Sequence, residues 1–146
     1  MTDPQFEVAR FRDYIAAFNR HDYVALAGYY DPDVVLVIGN GTELRGVQAI
    51  VDFYRNVNHA TTRTIEIVQA FADGDVLAAE LRSEFLALRD APDFTSGPMA
   101  RDDRLFINSF ALYDLRGGRY ARIRAAVFRR EWRRAPAPPA GRPPPN

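Results

Sequence analysis

Cysteine and lysine are both absent from the 146-residue chain, and each absence excludes a kind of chemistry. Without cysteine there is no disulfide, no thiolate nucleophile and no cysteine-ligated zinc or iron–sulfur centre. Without lysine there is no side-chain amine for a Schiff base. No run of about 18 apolar residues occurs either, so we expect no membrane span. The first residues lack a basic segment followed by an apolar one, so we expect no secretory signal and a cytoplasmic location.

Neither positive nor negative charge is in excess. Nineteen arginines balance nineteen acidic residues, and the formal net charge is +0. A chain with no net field is not drawn to nucleic acid or to an anionic membrane surface. The two histidines, His21 and His59, form no metal-binding motif, so we expect neither a metal nor another cofactor.

Three helical patterns and a short strand occupy the first part of the chain. Apolar residues recur at helical spacing after Asp3 and Pro4, a capping residue followed by a favourable first helical position. A short second helix is predicted from Asp22 to Tyr30 and a third over residues 46–56. Between them, residues 34–38 (VVLVI) have the length and β-branching of a buried strand.

Four longer runs, rich in β-forming residues, follow the helices. They span residues 61–71, 76–88, 104–115 and 120–132, and the segments between them are typical hairpin connections. The order predicts one α+β domain over residues 1–134, with helices on one face of a curved, mainly antiparallel sheet. Six of the ten prolines lie in residues 135–146, which we expect to be a disordered tail.

The segment at residues 79–88, AELRSEFLAL, alternates charged and mostly apolar side chains. On a strand, alternate side chains point to opposite faces. Periodicity alone therefore predicts that Glu80, Arg82 and Glu84 lie on the solvent side of the sheet.

The element order resembles that of the nuclear transport factor 2-like superfamily over residues 5–132. The resemblance lies in DYIAAFNRHDYVALAGYYDPDVV, which leads to ELRGVQAIVDFY. The superfamily includes SnoaL-like polyketide cyclases, ketosteroid isomerases and limonene-epoxide-hydrolase-type enzymes. The resemblance implies a cone-shaped α+β barrel that encloses one apolar pocket. It also implies a homodimer formed through the outer face of the sheet. Since the superfamily includes proteins that are not enzymes, the fold alone assigns no activity.

Similarity to ketosteroid isomerases implies a role for three tyrosines. Tyr14 matches the oxyanion-stabilising tyrosine of that family, and Tyr30 and Tyr54 match two tyrosines that form a hydrogen-bonded chain with it. A chain of buried phenols strengthens the bond donated to an oxyanion. The alternative is that all three are core residues.

Other catalytic positions of that family are changed here. Its base falls on Val37 or Ile38, which cannot accept a proton. Its second oxyanion donor falls on Asn108 or Ser109, of which we favour Asn108. Isomerisation by that family's mechanism is therefore not expected.

Similarity to the epoxide hydrolases implies that Arg82 and Glu84 reach into the pocket. An Arg-x-acid pair places both groups on one face, about 7 Å apart along the strand. This similarity reverses the expectation from periodicity. The second acid of those enzymes falls on Ala125, so their two-carboxylate mechanism is incomplete as well.

Three further residues are candidates for substrate binding. His59 follows the third predicted helix, where the resemblance places the pocket mouth. Phe106 and Phe110 share a strand face with Asn108 and are expected to form an apolar wall. Ordinary core packing is the alternative for both phenylalanines.

These features together predict a cofactor-free enzyme acting on an apolar, oxygenated small molecule. The predicted chemistry is acid–base catalysis beside a carbonyl: isomerisation, dehydration or cyclisation. Glu84 is the predicted acid or base, Arg82 sets its charge state, and Tyr14 stabilises the enolate with help from Asn108. The alternative is a non-catalytic module that binds a hydrophobic ligand or dimerises. The loss of the base positions of both templates favours that alternative.

Overall fold

Three helices pack against a six-stranded sheet in the computed structural model, which describes residues 3–39 and 41–136. This confirms the predicted α+β class. The helices are α1 (Pro4–Asn19), α2 (Tyr23–Ala27) and α3 (Val47–Ala60). The strands are β1 (Tyr30–Val37), β2 (Glu43–Arg45), β3 (Thr61–Asp73), β4 (Val76–Ala87), β5 (Arg104–Arg116) and β6 (Arg119–Arg133).

Helix α1 begins where the sequence predicts. The side chain of Asp3 accepts a hydrogen bond of 3.0 Å from the backbone N–H of Gln5, which satisfies one N–H at the start of the helix. The buried residues of α1 lie three or four positions apart, so they form one stripe that faces the sheet. That stripe contains Phe11, Tyr14, Ile15 and Phe18.

The sheet is open and mixed, with the strand order β2-β1-β6-β5-β4-β3. Strands β3 to β6 form consecutive antiparallel pairs, as predicted, and β1 pairs with β6 in parallel. Strand β2 was not predicted, because three residues are too few to show a period. It pairs with the end of β1.

The two faces of the sheet differ in burial, and β4 shows the difference most clearly. Every second residue from Leu77 to Ala87 is buried on the inner face, and the residues between them are partly exposed. The main core lies between this inner face and the helices. It includes Phe11, Leu26, Ile50, Leu77 and Tyr120, all fully buried.

A second, smaller core lies under the connection between β4 and β5. It contains Phe85, Ala87, Ala91, Met99, Leu105 and Ile107. An isolated bridge between Ala91 and Met99 closes the connection on itself. Thr95 and Ser96, at its tip, line the cavity described below.

The domain boundary predicted at residue 134 falls just after β6. Ala135 is still attached, since its N–H donates a 2.7 Å hydrogen bond to Asp103. The predicted disordered tail lies outside the described residues from 137 onward. Among the described helices, none combines the length and apolar character that crossing a bilayer requires.

Candidate active site

A cavity of about 520 Å³ lies between the helices and the inner face of the sheet. Its volume is typical of small-molecule sites. Helices α1 and α3 contribute aromatic residues, and strands β3 to β6 contribute mainly aliphatic ones. Its lining includes Tyr14, Tyr54, Arg63, Ser109, Tyr113, Ala125 and Arg130.

Tyr14 lines the cavity and is paired with a second tyrosine behind it. Its hydroxyl lies 2.7 Å from the hydroxyl of Tyr30, and both side chains are buried. Burial is the main cause that raises the pKa of each phenol well above its usual value. Both hydroxyls therefore stay protonated at neutral pH. Tyr30 can then donate its proton to the Tyr14 oxygen, while the Tyr14 O–H remains free to donate to a ligand.

Tyr54 and Tyr113 complete a group of phenols on the cavity wall. Burial raises the pKa of both, and the nearby positive charge of Arg63 partly opposes that rise. The structure thus brings Tyr14, Tyr30 and Tyr54 together, with a hydrogen bond between the hydroxyls of Tyr14 and Tyr30. Their catalytic role stays a prediction.

Arg63 is a charged group of the cavity wall. The buried Ser83 hydroxyl accepts hydrogen bonds from its Nε at 3.2 Å and its Nη2 at 3.0 Å. Its guanidinium carbon lies 5.4 Å from the ring centre of Phe18 and 5.1 Å from that of Phe85. These contacts hold the guanidinium in a defined orientation.

No aspartate or glutamate is among the described residues that line the cavity. The two base positions implied by the resemblance are aliphatic there too: Val37 and Ile38 lie on one wall and Ala125 on another. The described lining therefore offers hydrogen-bond donors and positive charge without a carboxylate base.

The prediction that Arg82 and Glu84 reach into the pocket is wrong. Their neighbour Ser83 faces the cavity side and is fully buried, so the strand pleat directs both charged residues to the outer face. Arg82 stacks 4.4 Å from the ring centre of Phe106, and Glu84 forms an ion pair with Arg104. Periodicity alone predicted this correctly.

Asn108, Phe106 and Phe110 also lie outside the cavity. Asn108 pairs with Arg82 across the sheet and Phe106 with Glu84, so they share the outer face. Ser109, the alternative to Asn108, lines the cavity instead. Phe110 stacks on Phe128 with a centroid distance of 4.5 Å, and both rings are more than half exposed.

His59 lies at the end of α3 with an exposed side chain and does not line the cavity. Its backbone carbonyl accepts a 2.9 Å hydrogen bond from Arg89. The expected contact with a pocket mouth is therefore wrong.

Three residues of the cavity lining were not predicted from the sequence: Arg63, Tyr113 and Arg130. The signal for Arg63 was present, because it shares a strand face with the buried Thr61 and Ile65. An arginine on the apolar face of a strand calls for a functional explanation. Arg130 gave no such signal, because it lies within an arginine-rich strand end.

The fold and the cavity define the class of protein: a cone-shaped α+β domain of the nuclear transport factor 2-like type with an internal cavity. The SnoaL-like domain family model matches residues 11–123, so the chain belongs to that family. No curated protein matches it.

Several solved structures share the fold. One is a proposed polyketide cyclase from Xanthomonas campestris pv. campestris, with 21% identity over 85% of this chain and 91% of that chain, and a TM-score of 0.74. A proposed polyketide cyclase from Pseudomonas putida KT2440 has 26% identity over 77% and 84%, with a TM-score of 0.66. An LEH-like epoxide hydrolase from M. tuberculosis has 14% identity over 87% and 86%, with a TM-score of 0.69. These similarities show that the chain has the fold of those proteins.

Proposed function

We propose that this chain is a cofactor-free SnoaL-like enzyme that stabilises the oxyanion formed beside a carbonyl of an apolar, oxygenated substrate. The observation that carries the proposal is a pair of protonated phenols: Tyr14 lines the cavity, and Tyr30 lies behind it within hydrogen-bond distance. Tyr14 donates to the substrate oxygen and Tyr30 donates to Tyr14, which strengthens the first bond. A preorganised donor of this kind contributes about 100- to 1,000-fold to the rate.

The absence of a carboxylate from the described cavity lining restricts the chemistry. The carbon-bound proton passes to water, the electron pair moves onto the carbonyl oxygen, and an enolate forms. The hydronium ion then returns the proton at another carbon in an isomerisation. In a cyclisation the enolate carbon attacks a second carbonyl, and the hydronium ion protonates the alkoxide that forms. Such a reaction suits a carbon already acidified by a carbonyl and a second activating group.

Hydrogen exchange of 2-tetralone in deuterium oxide tests the proposal, because its C1 position lies between a carbonyl and an aromatic ring. The protein should accelerate deuterium incorporation, followed by NMR, relative to buffer. Tyr14→Phe should reduce that acceleration about 100-fold or more. Tyr29→Phe is the matched control: its ring lies 5.4 Å from that of Tyr14, but it does not line the cavity.

A non-catalytic binding module is the second candidate, and the aliphatic residues at both template base positions favour it. In that case the protein binds 2-tetralone without accelerating its exchange. Equal acceleration by wild type and Tyr14→Phe would likewise contradict the oxyanion proposal.

A further inference from the structure

Arg63 is a half-buried cation at the cavity wall that has no carboxylate partner among the described residues. The ion pairs among the described residues join other arginines to acidic groups, and none includes Arg63. Placing a guanidinium in a largely apolar cavity costs free energy unless a counter-charge compensates it. A bound anion would supply that counter-charge.

The geometry of Arg63 leaves one edge of its guanidinium available. Ser83 accepts from Nε and Nη2, which together form the side edge of the group. The end edge, with one N–H from each of the two η nitrogens, donates to no described protein group. Two parallel N–H donors of this kind match the two oxygens of a carboxylate.

The surroundings of Arg63 favour an organic anion over a small inorganic one. Aliphatic residues make up much of the remaining wall, among them Ile65, Leu81 and Ile107, and they would contact an apolar body. The charge of Arg63 also reaches the hydroxyls of Tyr54 and Tyr113, since it lowers their pKa against the larger effect of burial. An anion bound at Arg63 would thus lie beside the phenols.

We propose that the substrate is an apolar organic carboxylate, and that the end edge of Arg63 binds its carboxylate group while Ser83 positions the guanidinium. This inference rests on the proposed function because it names the class of substrate that would bind in the same cavity. Arg130, which is exposed and also lines the cavity, adds a second positive charge to the same wall.

The test compares 2-naphthoate with 2-naphthamide, which have the same ring system and differ in charge. Calorimetry at neutral pH should show that wild type binds the carboxylate about tenfold or more tightly than the amide, because charge-assisted bidentate bonds are the stronger kind. Equal binding of the two would overturn the inference. Tighter binding of 2-naphthyl phosphate than of 2-naphthoate would overturn the choice of a carboxylate.

Single-residue variants test whether Arg63 causes the preference for 2-naphthoate over 2-naphthamide. Arg63→Met and Arg63→Gln should abolish it, and Ser83→Ala should reduce it because the guanidinium loses its orientation. Arg82→Met is the matched control, since Arg82 lies on the outer face of the neighbouring strand and should leave the preference unchanged. A preference that survives both neutral variants of Arg63 would overturn the inference.

A measurement on the unmodified chain covers the case in which the variants fail to fold. The NMR signal of the Arg63 side-chain Nε–H should shift on addition of 2-naphthoate and stay in place with 2-naphthamide. No shift with the carboxylate would overturn the inference. The Tyr14-dependent exchange of 2-tetralone is independent of this result, so failure of the anion site and failure of the proposed function are distinguishable.

Discussion

The hydroxyl of Tyr14, on the inner stripe of α1, lies 2.7 Å from the hydroxyl of Tyr30, the first residue of β1. This bond links the helical layer to the sheet at the cavity wall. Both hydroxyls are buried, so each is the compensating partner of the other. The pair therefore contributes to stability as well as to the proposed oxyanion site.

Loss of the Tyr14 hydroxyl should destabilise the fold without unfolding it. Tyr14→Phe leaves the buried Tyr30 hydroxyl without this partner, which costs about 1–3 kcal/mol in the free energy of unfolding. Urea denaturation followed by circular dichroism at pH 7 measures this cost. A variant as stable as wild type would show that the bond contributes nothing in solution.

Stability should fall in alkaline solution because burial raises the pKa of the core tyrosines. An unfolded tyrosine titrates near 10, whereas Tyr14 and Tyr30 keep their protons to higher pH when folded. The folded state then binds more protons than the unfolded state, so the free energy of unfolding decreases as the pH rises above about 10. It continues to decrease until the pH passes the folded pKa values.

Urea denaturation between pH 8 and pH 11 tests this sign. Tyr14→Phe removes one of the titrating groups, so its stability should decline less steeply than that of wild type. A wild-type stability that stays constant or rises over this range would contradict the burial-raised pKa values.

The acidic residue Glu84 should be dispensable for the cavity. It forms an ion pair with Arg104 on the outer face, so Glu84→Gln should leave 2-tetralone exchange and 2-naphthoate binding within about twofold of wild type. Loss of 2-tetralone exchange or of 2-naphthoate binding in a folded Glu84→Gln variant would show that this carboxylate acts at the site.

The outer face of the sheet should mediate self-association, as the family resemblance implies. Phe71, Phe110, Leu112 and Phe128 are exposed there and form an apolar surface of the kind that marks interfaces. We expect a homodimer by light scattering, and Phe128→Glu should convert it to monomer. Phe6→Glu, on the exposed side of α1, is the matched control and should stay dimeric. A monomeric wild type would contradict this expectation.

Asp103 should anchor the end of β6 in a pH-dependent way. Its carboxylate accepts hydrogen bonds from the backbone N–H groups of Ala135 and Ala100 and from Arg134, and these lower its pKa in that order of importance. Because the folded pKa lies below the unfolded value, this contribution is present above about pH 4 and is lost as the pH falls through the folded pKa.

Asp103→Asn should therefore lower the Tm at pH 7. Its Tm should also decrease less than that of wild type as the pH falls from 7 to 3, as measured by thermal unfolding. Asp102→Asn is the matched control. Asp102 is exposed and has a φ of 71°, a conformation that asparagine tolerates well, so its Tm should not fall. Equal Tm losses in the two variants would contradict a specific role for Asp103.

The sequence alone determined the element order, the capped α1 with its buried stripe, and the alternation of β4. These features arise from local periodicity and capping, which operate over a few neighbouring residues. The same alternation correctly predicted that Arg82 and Glu84 lie on the outer face of the sheet. The similarity to epoxide hydrolases wrongly predicted that they reach into the pocket. The three-residue strand β2 was too short for any such signal.

Only the tertiary structure decided which of the two faces of each strand lines the cavity. A shift of one residue reverses the orientation of a strand, and nothing local distinguished Asn108 from Ser109. The partners of Arg63 could not be predicted from the sequence either. Ser83, Phe18 and Phe85 lie on other elements and contact Arg63 only when the sheet and α1 pack together. Local pattern thus specified the strands and helices, and long-range packing specified the site.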